Sequence, residues 1–212
     1  MGRQIARVFA AEGFDLALIA RTEETLASVA QEARDAGAGT VITATADVTD
    51  EDSIRSALET VQSRAGVPAV VVYNVATMVK TPPSELTAQE VIETLPAMFF
   101  GALYATAAVL PGMRTRGSGT LLYTGGGFGI LPAQFTASHS VGKAALRNWV
   151  QNLHEELKPE GINVATVTIT RPVTEGGPYD GATIARHYLR LHRQAAQTTP
   201  DQWEWEVIHR EL

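Results

Sequence analysis

A histidine and a lysine lie four residues apart, as His139 and Lys143, near the start of a long helical pattern. Residues with this spacing share one face of a helix. An imidazole titrates near neutral pH and can donate or accept a proton, and a lysine ammonium one turn away would lower its pKa by like-charge repulsion. His139 is therefore a candidate proton-transfer residue. The alternative is that His139 caps the helix entrance or fills a pocket without taking part in chemistry.

Glycines at positions 125–127 follow an apolar, strand-like run at residues 119–124. Their backbone N–H groups could form an oxyanion site, in which donors are aimed at the oxygen where charge develops during a reaction. Tyr179, in a loop with Gly176 and Gly177, is a second possible proton donor. A loop tyrosine can equally provide apolar surface that faces a substrate.

Metal chemistry is not expected from this sequence. Cysteine is absent, which removes thiolate ligands, disulfides and a cysteine nucleophile and fits a reducing cytoplasm. The remaining histidines lack the closely spaced partner ligands that zinc needs; they are His154, His187, His192 and His209.

Charge and hydropathy exclude two classes of partner. A formal net charge of -6 and a pI near 5.4 argue against an electrostatic nucleic-acid binder, which needs clustered lysine and arginine. No apolar run approaches the roughly 20 residues needed to span a bilayer, and the N-terminus lacks the pattern of a signal peptide. We therefore expect a soluble, cytoplasmic protein that binds neither nucleic acid nor membrane.

Helical and strand-like patterns alternate along most of the chain. Gly13 stands where a helix would end in the left-handed conformation, and Thr22 is a suitable cap for the next helix. The apolar runs are typical of strands buried on both faces, so the pattern predicts an α/β fold: a Rossmann-like, doubly wound parallel sheet with helices on both faces. Helices are predicted over residues 3–12, 22–36, 51–65, 86–113 with a break near Pro96, 134–157 and 182–194, and strands over residues 14–20, 41–46, 69–73, 119–124, 162–169 and 203–209.

The length of 212 residues predicts one domain, residues 1–212, because two ordinary domains would not fit. Residues 170–202 begin with a loop rich in proline and glycine, and we expect them to form a substrate loop or lid. Ligands of doubly wound sheets bind at the carboxyl ends of the strands. The residues that follow those predicted ends are therefore candidates for binding.

The motifs resemble those of the short-chain dehydrogenase/reductase family. Lys143 matches the lysine of the family's Tyr-x-x-x-Lys helix, Asp47-Val48 matches an Asp-Val pair, and Asn74 matches the second asparagine of Asn-Asn-Ala-Gly. The resemblance implies that Asp47 and Val48 hold the adenine, Asn74 steadies the central strand beside the cofactor, and Lys143 binds the nicotinamide ribose. Asp47 could instead cap a helix, and Asn74 could merely satisfy a strand end.

The resemblance extends from Met1 to about Thr174 and implies further cofactor contacts. Gly2 matches the last glycine of the family's Thr-Gly-x-x-x-Gly-x-Gly turn, and Thr174 lies in the loop that shapes the nicotinamide pocket. Arg21 stands where the family often places a basic residue against the 2′-phosphate of NADP, and Ala20 before it offers no carboxylate for a free ribose hydroxyl. NADP is therefore favoured over NAD, although Arg21 could be an ordinary surface arginine.

Three of the family's four catalytic residues are replaced. The tyrosine aligns with His139, the serine with Gly126 and the helix asparagine with Met98, and only Lys143 remains. In the family, nicotinamide passes hydride to a carbonyl while tyrosine supplies the proton and serine holds the oxygen. Loss of one oxyanion donor typically lowers the rate on the order of a hundredfold. Ordinary carbonyl reduction should therefore be impaired unless other groups have taken over.

Compared with the family, the sequence lacks the first strand and most of the glycine-rich turn, because only Met1 precedes Gly2. That strand would lie in the middle of the sheet, so its absence would leave two unpaired strand edges inside the fold. We expect that the natural protein begins further upstream, and that cofactor binding is weak if the chain begins at Met1.

The leading hypothesis is an oxidoreductase that uses NADP, or NAD, and acts on a small carbonyl or alcohol through an atypical active site. Apolar stripes on the helices after Met98 and His139 suit a homodimer or homotetramer, as in the family; packing in the internal core is the competing explanation. One alternative is a catalytically silent nucleotide-binding or partner subunit. Another is a family member with non-redox chemistry, such as a dehydratase or isomerase, with His139 as the base.

Overall fold

The computed structural model describes residues 1–210. Helices and parallel strands alternate in chain order, as the sequence predicts. The elements are α1 (Gly2–Ala11), β1 (Leu16–Ala20), α2 (Glu23–Asp35), β2 (Val41–Thr45), α3 (Glu51–Ala65), β3 (Val70–Tyr73), α4 (Ala88–Leu95), α5 (Gly101–Arg116), β4 (Gly119–Gly126), α6 (Ala137–Leu157), β5 (Ile162–Ile169), α7 (Gly181–Gln197) and β6 (Glu206–His209).

Local sequence sets the helix ends. The side chain of Thr22 accepts a hydrogen bond from the backbone N–H of Thr25 and so caps α2, as predicted. Gly13 has φ of 79° after α1, a backbone conformation in which only glycine is free of steric cost, which also confirms the prediction. The cap of α3 is Asp50, whose carboxylate accepts from two backbone N–H groups. The interpretation of Asp47 as a helix cap is therefore wrong.

The strands form two parallel sheets. One contains β1 and β2, and the other has the order β3-β4-β5-β6. Within the described residues, β1 pairs only with β2, and β3 pairs only with β4. Val70, Val71 and Val72 on β3 are only half-buried, whereas β5 is buried along almost its whole length.

Helices cover both faces of the sheets, which confirms the Rossmann-like architecture. One hydrophobic cluster lies under α3, α5 and α6 and includes Val109, Leu146 and Val150. The other lies under α1 and α7 and includes Phe9 and Tyr188. Because both clusters pack against the strands, the strand ends are held at fixed positions and can carry a site along one edge.

The predicted break near Pro96 is present. A π-helical turn, Pro96–Phe100, separates α4 from α5. Proline lacks the N–H that an α-helix would use at this position, and π-turns commonly accompany such interruptions.

One sequence prediction about this region is wrong. The combined helical stretch Ala88–Arg116 is long and apolar enough to cross a membrane, with a mean hydropathy of 1.4 in its most apolar window. Length and composition do not distinguish a membrane span from a core helix of a soluble protein, and α5 buries Ala102, Val109 and Met113 in the core. The stretch therefore removes an argument against membrane contact and does not establish such contact.

Candidate active site

The predicted site residues gather at the carboxyl ends of the strands. Arg21 follows β1, Asp47 follows β2, Asn74 follows β3 and Gly126 ends β4. Parallel strands bring these ends to one edge. The side chain of Lys143 reaches the same edge from α6, since its Nζ donates to the carbonyl of Val75, just after β3, and to that of Thr124, near the end of β4.

Lys143 is buried, with 2% of its surface exposed. Its Nζ donates hydrogen bonds to the carbonyl oxygens of Thr124 at 2.7 Å and Val75 at 3.2 Å. Burial lowers the pKa of this ammonium to about 8, because removal from water disfavours the charged form. No carboxylate of the described residues forms an ion pair with it. Lys143 is thus a buried amine that titrates within reach of neutral pH.

Gly126 lies directly against the stem of Lys143. Its backbone is extended, with φ of -144° and ψ of 143°, so any residue could adopt the conformation. A Cβ atom added there would lie 3.3 Å from Cγ of Lys143 and 3.6 Å from its Cδ. The lysine methylenes therefore occupy the space next to the position that would carry a serine side chain.

His139 is tied to the loop that follows β3. Its Nδ1 donates to the carbonyl oxygen of Thr77 at 2.6 Å, which fixes the neutral tautomer because a carbonyl can only accept. No described residue hydrogen-bonds to Nε2. Burial is the main cause that lowers the pKa of His139; the Thr77 carbonyl opposes this shift and the nearby Lys143 adds to it. The imidazole is therefore neutral at pH 7, with an unprotonated Nε2.

Met98, at the position of the family's helix asparagine, has no exposed surface. A Cβ atom added to Gly142 on α6 would lie 3.1 Å from Cβ of Met98 and 3.2 Å from its Sδ. The thioether therefore packs on the turn of α6 that carries Lys143. A thioether is only a weak acceptor and cannot donate.

A buried chain of hydroxyl groups orients Asn74. Thr124 Oγ1 donates to Asn74 Oδ1 at 2.9 Å and lies 2.7 Å from the hydroxyl of Tyr188 on α7. Burial raises the pKa of Tyr188, so its phenol stays neutral and donates to Thr124. The Asn74 amide Nδ2 then faces α1, 3.2 Å from a Cβ added to Gly2. Sequence patterns gave no signal for Tyr188, because it lies 64 residues after Thr124.

Asp47 and Val48 form a short turn between β2 and α3. The Asp47 carboxylate accepts from the backbone N–H and the hydroxyl of Thr49 at 2.9 and 2.8 Å. The backbone hydrogen bond is the largest cause that lowers the pKa of Asp47, and nearby Arg21 makes a smaller contribution. The Val48 carbonyl lies so close to Gly101 that an added Cβ would be 2.5 Å from it. This glycine therefore allows α5 to approach the turn.

Thr174 and Tyr179 belong to one compact loop. The backbone N–H of Thr174 donates to the carbonyl of Tyr179 at 3.0 Å, and the Thr174 hydroxyl donates to Gly176. Tyr179 is buried, and its hydroxyl lies 2.7 Å from Thr170 Oγ1 and donates to the His209 carbonyl. Tyr179 thus holds the loop to β6, and its hydroxyl already has partners within the protein.

The fold and this edge define a doubly wound α/β protein with a buried lysine one helical turn after a neutral histidine. The model for the short chain dehydrogenase family matches residues 1–175. The chain belongs to this family.

Curated relatives of this chain include reductases and dehydrogenases. The very-long-chain 3-oxoacyl-CoA reductase of Aspergillus clavatus is 32% identical over 170 residues, which is 79% of this chain and 49% of that protein. The 11-beta-hydroxysteroid dehydrogenase-like 2 of Arabidopsis thaliana is 28% identical over 170 residues, 76% of this chain and 52% of that protein. The chain thus spans about half the length of these relatives.

Solved structures share the fold over almost the whole chain. A short-chain dehydrogenase from Rhodopseudomonas palustris aligns with a TM-score of 0.84 and 26% identity, covering 100% of this chain and 93% of that one. An alcohol dehydrogenase from Thermococcus sibiricus, complexed with 5-hydroxy-NADP, aligns with a TM-score of 0.82 and 23% identity, covering 98% and 90%.

Proposed function

We propose that this chain is an oxidoreductase that uses NADP, acts on a small carbonyl or alcohol, and transfers the proton through His139. The observation that carries the proposal is the hydrogen bond from Nδ1 of His139 to Thr77, which leaves Nε2 unprotonated on the same helix as the buried Lys143. Membership of the family supports oxidoreductase chemistry. The proton relay is the part that differs from the family.

The residues present fit a nicotinamide dinucleotide. Gly2 opens α1, and the first N–H groups of a helix favour phosphate. Arg21 is exposed and has no hydrogen bond within the described residues, so it is available for a 2′-phosphate. Asp47 and Val48 would border the adenine, and Asn74 would donate through its Nδ2. Thr174, in the compact loop after β5, would border the nicotinamide.

The preference for NADP has support from similar structures. The Thermococcus sibiricus enzyme was solved with 5-hydroxy-NADP, and L-sorbose reductase from Gluconobacter frateurii, with a TM-score of 0.84 and 21% identity, was solved with NADPH and L-sorbose. When bound, the nicotinamide exchanges a hydride with the substrate carbon. The protein must supply the proton transfer and the stabilisation of charge on the substrate oxygen.

The state of His139 favours alcohol oxidation at neutral pH. Because Nδ1 keeps its proton in the bond to Thr77, the lone pair of Nε2 can accept the hydroxyl proton of an alcohol. The reverse reaction needs a protonated Nε2. The lowered pKa of His139 makes that form scarce at pH 7, so carbonyl reduction should speed up as the pH falls toward this pKa.

The ammonium of Lys143 is a positive charge close enough to His139 to lower its pKa. While protonated, it stabilises negative charge that develops on a substrate oxygen, an effect that is strong in a site with little water. Gly126 contributes no hydroxyl there. We therefore expect turnover well below that of a family member that keeps serine and tyrosine.

A catalytically silent nucleotide-binding subunit is the second candidate. The observation that favours it is the attachment of Lys143 Nζ to two backbone carbonyls, which leaves little of the amine for a ligand. Met98 and Gly126 offer no strong hydrogen-bonding side chain either.

Titration of NADPH fluorescence against the full chain separates these candidates. We expect saturable binding that is weakened at least about tenfold by Arg21→Glu, since a charge reversal beside a phosphate opposes binding. Arg34→Glu is the matched control, because Arg34 is an exposed arginine at the end of α2. Absence of binding at millimolar NADPH would contradict the proposal.

Turnover then tests His139. A panel of small alcohols with NADP, and of carbonyls with NADPH, should give activity that His139→Ala lowers on the order of a hundredfold, the usual range for a general acid–base residue. Binding without any turnover would favour the silent subunit. Turnover that His139→Ala leaves unchanged would remove His139 from the mechanism.

A further inference from the structure

Two loops beside His139 are unusually apolar. Residues 74–82 and 126–136 contain a single charged residue, Lys80. Five of the ten large hydrophobic side chains that are exposed among the described residues belong to these two loops. We call these five the apolar rim; they are Met78, Val79, Ile130, Leu131 and Phe135. Leu131 is 77% exposed and Met78 is 56% exposed, so the rim is open to solvent.

Hydrogen bonds hold the two loops side by side. The hydroxyl of Thr136 donates to the Val79 carbonyl at 2.8 Å, and the backbone N–H of Ala137 donates to the Thr81 carbonyl at 3.0 Å. The bond from His139 to Thr77 is a third link. Because these links bracket Met78 and Val79, this part of the first loop lies beside the end of the second loop and next to His139.

Aromatic rings connect the rim with His139. The half-buried ring of Phe128 packs edge-on against Phe135, with centroids 5.6 Å apart and an interplanar angle of 90°. The same ring packs against the imidazole of His139, with centroids 5.8 Å apart and an angle of 79°. An apolar path therefore leads from the exposed rim to the proposed proton-transfer residue.

We propose that the apolar rim binds the hydrocarbon chain of the substrate, and that the substrate is a carbonyl or secondary alcohol with an unbranched alkyl or acyl chain. This inference rests on the proposed function, because the reacting oxygen is placed at His139. A patch of exposed apolar side chains marks a ligand, partner or membrane surface. Its continuity with His139 through Phe128 favours the substrate itself. Flexible methionine and leucine side chains suit a flexible chain, since they adapt to its shape.

Binding can be tested without cofactor or turnover. Saturation-transfer NMR would compare the affinities of 2-butanone and 2-octanone for the full chain. Each methylene that leaves water for a partly open surface should tighten binding about twofold, and up to about fourfold when fully buried. The four additional methylenes therefore predict an affinity for 2-octanone about 16-fold higher or more. Equal affinities would overturn the proposal.

Variants locate the effect. Leu131→Ser and Phe135→Ser remove exposed apolar surface and should each weaken 2-octanone about fivefold or more, while the weak binding of 2-butanone stays unchanged. Ile92→Ser is the matched control, because Ile92 is 62% exposed on α4 and lies outside both loops. An equal loss in the control would show non-specific adsorption and would contradict the role of the rim.

Three further outcomes distinguish the rim proposal from the proposed function and from a membrane-binding role. If 2-octanone binds as expected but NADPH neither binds nor supports turnover, the rim stands and the proposed function fails. If NADPH-dependent turnover is present but shows no dependence on chain length between four and eight carbons, the function stands and the rim proposal fails. The protein can also be sedimented with phosphatidylcholine vesicles. If Leu131→Ser abolishes this co-sedimentation but leaves the affinity for 2-octanone unchanged, the rim is a membrane-binding surface and the proposal is overturned.

Discussion

A Cβ atom on Gly126 would lie 3.3 Å from Cγ of Lys143. The methylenes of Lys143 therefore pack against the backbone of Gly126, where a larger residue would place its Cβ atom. The Nζ of Lys143 donates to the carbonyls of Thr124 and Val75. The contact is tight enough that a side chain at position 126 would shift the lysine by a few tenths of an ångström. Such a shift would loosen the two bonds that bury the ammonium.

Restoring the family's residues at positions 126 and 139 should restore carbonyl reduction. Gly126→Ser supplies an oxyanion donor, and His139→Tyr supplies a phenolic proton beside Lys143. We expect kcat/KM for carbonyl reduction in the double variant to rise at least about tenfold, a fraction of what one oxyanion donor typically contributes. Gly126→Ala with His139→Tyr is the control, because it repeats the steric change without the hydroxyl. Equal activity of the two variants would show that position 126 does not touch the reacting oxygen.

Lys143 should titrate near pH 8, because burial lowers its pKa to about 8. The chain has three lysines, Lys80, Lys143 and Lys158, so side-chain NMR of ¹³C-labelled lysine can follow each one, with Lys143→Gln for assignment. We expect the Lys143 resonance to titrate near 8, below the usual lysine value of about 10.4. Since the folded state loses this proton first, stability should rise with pH between about 8 and 10.4. A Lys143 resonance that titrates near 10.4 would show that this amine is solvated.

The fold could be predicted from sequence because each element has a local cause. The buried run of β5 and the caps at Thr22 and Gly13 follow from residue type and spacing alone. The prediction that no apolar stretch is long enough to span a membrane failed, because it considered continuous apolar runs rather than the length of the whole helical stretch. The π-turn at the predicted break near Pro96 changes the local hydrogen bonding but keeps α4 and α5 in one continuous helical stretch.

The candidate site was only partly predictable. Lys143 and His139 are neighbours by helical spacing, so their proximity could be inferred. Partners that come from distant parts of the chain could not: the Thr77 carbonyl lies 62 residues before His139, and Tyr188 lies 64 residues after Thr124. A backbone carbonyl has no sequence signature, and a buried tyrosine on α7 looks like any core residue. The tautomer of His139 therefore emerged only from the structure.

Acid should destabilise the fold through His139. Its pKa is lowered in the folded state, mainly by burial, so the folded protein disfavours the imidazolium. Above the usual pKa near 6.5 both states are neutral and the stability is complete. As the pH falls below 6.5, the unfolded state takes up the proton first and stability declines until the folded pKa is passed. Melting temperatures between pH 7.5 and 5 should fall less steeply for His139→Gln than for the parent chain. Parallel curves would show that His139 is solvated.

Arg147 should matter for stability far more than an exposed arginine. It donates to both carboxylate oxygens of Glu206, at 2.8 Å and 2.6 Å, and the carboxylate side chain is 6% exposed. Arg147→Met would leave a buried carboxylate whose remaining described partner is the hydroxyl of Thr168. We expect a loss of about 3 kcal/mol in the free energy of unfolding by urea, within the range for breaking one partner of a buried pair. The control is Arg114→Met, whose partners Glu156 and Glu160 lie on the surface, so that this change should affect stability far less. A double variant, Arg147→Met with Glu206→Gln, should recover part of the loss because no buried charge remains; equal losses in the single and double variants would contradict this account.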